Sequence, residues 1–157
     1  MNDEILKLEK QLCFRLYAVS RNMTRLYKPL LDKFNLTYPQ YIIMLVMFEH
    51  KHIKFNDLSA IVDLRTGTLT PILQKLVKTG YINRIVDSTD KRKIFLELTE
   101  LGEKLQKDII EVPIGLYTQL QITPEMYKVL TTELDQLSNI LKNVEVREAI
   151  EWTKKEC

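Results

Sequence analysis

Residues 63–99 read DLRTGTLTPILQKLVKTGYINRIVDSTDKRKIFLELT. The first part, DLRTGTLTPILQKLVKTG, reads as a helix that stops at Gly80, a residue suited to the left-handed position just past a helix end. Thr68 is the expected N-cap, which would put Pro71 in the first turn, where a missing N–H costs little. Beyond Gly80 the apolar period changes to two. YINRIV and KIFLELT both alternate, with Ile94, Leu96 and Leu98 facing one way, and the polar DSTDKR between them predicts a two-stranded hairpin with a basic tip. Just upstream, FNDLSAIV is a short amphipathic helix. Helix, turn, helix and basic hairpin in series make a winged helix-turn-helix.

Outward from this segment the chain is helical. Ile5, Leu8, Leu12, Leu16, Val19, Met23, Leu26 and Leu30 recur at helical spacing and predict one long first helix, bent near its end by Pro29. In LTYPQY, Thr37 and Gln40 have capping-box spacing, and Leu36 and Tyr41 can form a hydrophobic staple, so a second helix starts there and runs to about Phe48. Thr99 can cap a further helix that Pro113 kinks or divides. Thr123-Pro124-Glu125 starts the last major one, whose Leu130, Leu134, Leu137, Leu141 and Val144 form a seam for packing against other helices. The tail VREAIEWTKKEC is a candidate extra helix.

The expected fold class is therefore mainly α with a small β-hairpin. One domain of residues 1–157 has helices over about 1–36 and 100–157 for dimerisation and a winged part over about 37–99. The apolar seams fit either a homodimer interface or an intramolecular core.

A net charge of +2 does not by itself announce a nucleic-acid protein. Its distribution says more. Residues 63–93 hold seven basic residues (Arg65, Lys75, Lys78, Arg84, Lys91, Arg92, Lys93) against three acidic ones (Asp63, Asp87, Asp90), as expected where one segment meets a polyanion. No apolar run approaches the roughly 20 residues that cross a bilayer, and a cytoplasmic protein is expected. Two cysteines at opposite ends of the chain, Cys13 and Cys157, are no disulfide framework. His50 and His52 beside Glu49 invite a metal reading, but the EHKH spacing matches no strong signature, and a solvated loop is expected. No cofactor is implied.

The major groove admits a helix whose first turns present short polar groups to base edges. Arg65, Thr66, Gly67, Thr68, Thr70 and Pro71 supply that surface, with Gln74 and Lys75 farther along. In the hairpin, Arg92 is the residue suited to a narrow minor groove, Asp90 can orient it through a bidentate pair, and Lys91 and Lys93 are phosphate contacts. The partner implied is double-stranded DNA, a pseudo-palindromic operator if two winged units act together.

LEKQLCFRLYAVSRNMTRLYKPLLDKFNLTYPQYIIMLVMFE, GTLTPILQKLVKTGYI and DKRKIFLELTELG together resemble the MarR family of bacterial transcription regulators. QLCFRLY with LTYPQY is similar to its organic-hydroperoxide-sensing branch. The resemblance implies a repressor, not an enzyme, in which organic hydroperoxide oxidises Cys13 and the operator is released. It also implies that Tyr17 of the same subunit, with Tyr27 and Tyr38 of the other, hydrogen-bonds the sulfur. Thiolate is the form that attacks peroxide, so hydroxyl donors around it make chemical sense. Arg65 departs from the branch, which commonly carries a small polar or acidic residue there. Cys157 stands outside its pattern as a second thiol. Two further readings remain open: regulation by a small aromatic ligand held between the dimerisation helices and the winged part, the usual MarR mode, and a thiol peroxidase using Cys13.

Overall fold

The computed structural model describes residues 4–144, so Cys157 and the predicted tail helix lie outside the described residues. Contacts divide the chain into two compact units, Met1–Thr118 and Gln119–Cys157. The first holds α1 (Leu12–Asp32), α2 (Tyr38–His50), β1 (His52–Lys54), α3 (Phe55–Val62), α4 (Thr66–Lys78), β2 (Ile82–Val86), β3 (Ile94–Leu98) and α5 (Glu100–Asp108), with α6 (Glu111–Leu120) at its end. The second holds α7 (Pro124–Lys142). Mainly helical, with a small sheet, it is the expected fold class.

α2 is the spine. Its sequence is apolar on every side, and such a helix belongs in a core; Ile43, Met44 and Met47 are fully buried, as are Leu58 of α3, Leu69 and Leu76 of α4, and Ile82 and Leu96 of the sheet. The capping box is present: the Thr37 N–H donates to Gln40 Oε1 at 2.7 Å. Leu36 and Tyr41, placed as a staple, are both buried in the same cluster.

The first helix starts later than its apolar period implies. A single 3-10 turn (Leu8–Lys10) precedes an extended Gln11, and α1 begins at Leu12. Backbone acceptors are diverted there: the Gln11 side chain donates to the Ile5 carbonyl, and Arg15 donates to the Glu9 carbonyl at 2.8 Å. Cys13 consequently lies in the first turn of α1, among amides that have no intrahelical acceptor.

α4 also starts elsewhere than expected. Arg65, not Thr68, is its N-cap residue, with no side-chain cap bond. Asp63 in the left-handed region ends α3, the Leu64 N–H donates to the Ser59 carbonyl at 3.1 Å, and Ser59 Oγ donates back to the Leu64 carbonyl at 2.5 Å. That closed turn returns the chain to helical geometry at Thr66, so Pro71 falls in the second turn. The far end is as predicted: Gly80 has φ +81°, and the Tyr81 N–H reaches the Leu76 carbonyl at 3.1 Å while the Gly80 N–H reaches Val77 at 3.0 Å, the paired bonds of a Schellman end.

The sheet has three strands, in the order β1-β3-β2, all antiparallel. The predicted hairpin is β2–β3. The third strand falls on the stretch expected to be a solvated loop: His52 pairs with Glu97 and Lys54 with Phe95. Three residues are too few to show a period, and Ile53 alone is buried among them. The His52 ring instead stacks on Phe95, with centroids 5.0 Å apart.

Thr99 caps α5, accepting from the Gly102 N–H at 3.1 Å, and its own hydroxyl donates to the Gly80 carbonyl at 2.6 Å. The helix breaks after Asp108, five residues ahead of Pro113; the Ile109 carbonyl, which Pro113 has no N–H to serve, accepts from the Val112 N–H at 3.0 Å instead. In the second unit Thr123 caps α7 by accepting from the Met126 N–H at 3.2 Å. No residue of α7 is buried. Among the described residues no helix is long and apolar enough to cross a membrane.

Gly102 packs directly beneath the hairpin. A Cβ there would sit 2.4 Å from the Tyr81 carbonyl oxygen and 2.5 Å from Leu98 Cδ1, and backbone cannot yield as a flexible side chain can. Gly102→Ala should therefore cost about 2–3 kcal/mol, and its thermal midpoint should fall by about 4–12 °C in a circular dichroism melt; an unchanged midpoint would contradict this packing.

Candidate functional site

α4 and the wing form two walls of one concavity of about 600 Å³. Thr66, Thr70 and Gln74 line the helix side, one turn apart, while Arg84 of β2 and Arg92 and Lys93 of the turn line the other. Lys54 and Asn56 close it from the start of α3, over a floor that includes Phe55, Leu73 and Ile94. A polar helix edge faces a cluster of cations. Gly67, Thr68, Pro71 and Lys75 are exposed along the adjacent strip of α4, next to exposed Arg65, and Lys91 is exposed at the wing tip.

Lys54, Asn56 and Arg84 had not been singled out by sequence reasoning. Arg84 carried a legible signal, since it stands two residues after buried Ile82 on the same side of β2, opposite Leu96. Lys54 and Asn56 are brought in by β1, which gave none.

The wing tip is a chain of side-chain-to-backbone bonds. Asp87 Oδ1 accepts from the Thr89 N–H at 2.8 Å, the Thr89 hydroxyl at 2.6 Å and the Asp90 N–H at 2.9 Å. These bonds, the Thr89 hydroxyl first, favour the carboxylate and bring the Asp87 pKa down to about 2. Asp90, so placed, receives Arg92: Oδ1 accepts from Nε at 3.1 Å and Oδ2 from a terminal guanidinium nitrogen at 3.4 Å, with the Arg92 N–H also on Oδ1 at 3.1 Å. The forked pair read from the sequence is present. The Arg92 side chain is 91% exposed, and an ion pair this open contributes only about 0–1 kcal/mol. Its effect is to aim the guanidinium.

Cys13 is a free, exposed thiol. Tyr17, one turn later on α1, accepts a hydrogen bond from Arg21 at 2.9 Å, and the guanidinium also lies 5.5 Å from the ring centroid. That leaves the phenol proton of Tyr17 for another acceptor. Tyr27 and Tyr38 meet each other instead, with centroids 4.8 Å apart, and Tyr27 lies 5.6 Å from Tyr41. Burial pushes the phenols of Tyr38 and Tyr41 up, and Tyr38 adds to the effect on Tyr41, so both are neutral hydroxyl donors at neutral pH. Fourteen residues of helix separate Cys13 from Tyr27, about 20 Å along the axis. Within one chain the sulfur and the tyrosine pair do not meet.

Large apolar side chains lie uncovered along the terminal helices. Leu12 is 60% exposed, Ile110 62%, Ile114 61% and Leu134 52%. Tyr17 and Val19 on α1, and Leu130 and Leu141 on α7, share that state.

A family model described as "Transcriptional regulator SarA/Rot" matches residues 25–109. The organic hydroperoxide resistance transcriptional regulator of Bacillus subtilis is 41% identical over 135 residues, covering 81% of this chain and 92% of that protein. Among solved structures, reduced AbfR bound to DNA has a TM-score of 0.73 at 31% identity, covering 91% of this chain and all of that one; overoxidized AbfR bound to DNA gives the same score at 32%, covering 90% and 99%. A mutant MarR from E. coli complexed with operator DNA shares the fold, with a TM-score of 0.74 at 22% identity over 86% of this chain and 96% of that one. With a winged unit and these matches over most of its length, the chain belongs to the SarA/Rot family of transcriptional regulators, is similar to the regulator of organic hydroperoxide resistance, and shares the fold of MarR.

Proposed function

We propose that this chain is a homodimeric, redox-sensing transcriptional repressor that binds a pseudo-palindromic operator and releases it when an organic hydroperoxide oxidises Cys13. The observation that carries the DNA-binding half is the concavity between α4 and the wing, with Thr66, Thr70 and Gln74 facing Arg84, Arg92 and Lys93. α4 enters the major groove. Its first turns, with Gly67, Thr68 and Pro71, meet base edges; Arg65, Lys75, Lys91 and Lys93 hold phosphates, and Arg92, aimed by Asp90, enters the minor groove. DNA-bound relatives of the same fold support the reading.

The sensing half rests on Cys13. It is exposed, in the first turn of α1. Its thiolate attacks the peroxide O–O bond, giving a sulfenic acid and, once the departing alkoxide takes a proton, an alcohol. Tyr17, one turn later on α1, donates to the sulfur, and a partner copy brings Tyr27 and Tyr38, which one chain cannot. The uncovered seams of the terminal helices supply the surface for that partner. Cys157 is a candidate second thiol that condenses with the sulfenic acid.

A second reading keeps a small aromatic ligand as the signal but in another place than expected: the concavity of about 600 Å³, floored by Phe55, Leu73 and Ile94, lies within the winged part rather than between it and the dimerisation helices, and has the size and mixed lining of a small-molecule site. A small aromatic acid held there would compete with DNA directly.

In a gel shift with cumene hydroperoxide, wild type should release its operator and Cys13→Ser should hold it; release by Cys13→Ser would transfer the switch to a ligand. Because overoxidized AbfR is found on DNA, stoichiometric and excess peroxide should be compared. Arg92→Ala should weaken binding about 5- to 150-fold, from about 1–3 kcal/mol for a lost groove contact, with A·T preference beside the half-sites lost. Asp87 has a lowered pKa, so its order at the wing tip is fully present above the ordinary carboxylate range and lost only as pH falls through about 2. NMR titration should accordingly find its carboxyl midpoint near 2, and operator affinity between pH 5 and 8 should owe nothing to its titration.

A further inference from the structure

The four glycines of this chain divide by what the fold asks of them. Gly80 needs a positive φ, a Cβ at Gly102 would strike the Tyr81 carbonyl, and one at Gly115 would sit 3.2 Å from Leu30. Gly67 has no such reason. Its φ is not in the left-handed region, and a Cβ built on it meets nothing within 4 Å. It is the second residue of α4, where glycine gives up backbone freedom that alanine would not. Nothing inside the protein compensates, so the reason for its bareness lies outside the chain.

What lies outside is marked by its neighbours. Pro71 is four residues on, on the same face of the helix, and is exposed like Gly67. It carries a compact ring without rotamers and lacks the N–H that would close a helical turn on the Gly67 carbonyl. The two make a strip of low relief with bare backbone at one end, bordering the concavity at Thr66 and Thr70.

We propose that Gly67 is a close-approach position for duplex DNA, where the backbone of the first turn of α4 lies against the major-groove edge of the base pairs nearer than a methyl group would permit. Gly67 sets how deep α4 seats, and the side chains of Thr66, Thr70 and Gln74 reach base edges only at that depth. The proposal rests on the DNA-binding reading above and adds to it a positioning role that involves no charge.

The experiment uses full-length protein and a duplex that the wild type selects from a random-sequence pool. Gly67→Ala should melt at or above the wild-type midpoint, by up to about 4 °C, yet bind the selected duplex about tenfold more weakly, and Gly67→Val should be weaker still. The slope of log affinity against log salt should not change for either, since no phosphate contact is removed, whereas Lys75→Ala should lower it by about one. Gly67→Ala that binds within twofold of wild type overturns the proposal, as does Gly67→Ala that melts lower, which would make the glycine a folding residue. If the wild type selects no duplex, the DNA-binding reading fails and this proposal falls with it.

Discussion

The wing can serve α4 only if the hairpin leaves the helix at a fixed angle, and a small knot of bonds around Thr99 fixes it. The Thr99 hydroxyl donates to the Gly80 carbonyl, just past the end of α4. The Thr99 N–H donates to the Tyr81 carbonyl at 3.1 Å, where β2 begins, and the Thr99 oxygen accepts from Gly102 in α5. One residue thus ties the end of α4, both strands of the hairpin and the next helix together. Gly102 lets α5 come close enough for this. Remove that closeness and α4 and the wing are two surfaces instead of one.

Within the joined surface, charge and direction are supplied by different groups. Lys54, Arg84, Lys91 and Lys93 give positive potential with little regard to geometry. Direction comes from acids: Asp87 gathers the turn, and Asp90, placed by that turn, forks onto Arg92. Two carboxylates in a basic tip lower its net charge and so weaken long-range attraction, while holding a long side chain in one orientation. On α1 and α2, Arg21 donates to the Tyr17 hydroxyl, and burial keeps the phenols of Tyr38 and Tyr41 protonated.

The features legible in the sequence were those with a local cause. The Thr37–Gln40 box, Gly80 past α4, Thr99 and Thr123 as caps, and the period-two strands around DSTDKR each depend on residues within a few positions of one another. The Asp90–Arg92 fork belongs with them. What escaped had its cause elsewhere in space. β1 exists because β3 offers it an edge, and three residues cannot announce that. α1 starts at Leu12 because Gln11 and Arg15 side chains claim the carbonyls before it, although the apolar period runs on past the break. Thr68 has the right chemistry for a cap but lost the place to Arg65, because the Ser59–Leu64 turn fixes where helix geometry resumes. Asp87 looked like any polar turn residue until its three donors were in place.

The uncovered aliphatic seams of the terminal helices bear on how such a protein would count itself. If a second copy is what covers them, the abundance of the DNA-competent species rises with the square of the chain's own concentration until pairing saturates. Operator occupancy would then respond to expression level more steeply than a one-to-one binder allows, and a cell carrying few copies would have a leaky promoter even with every thiol reduced.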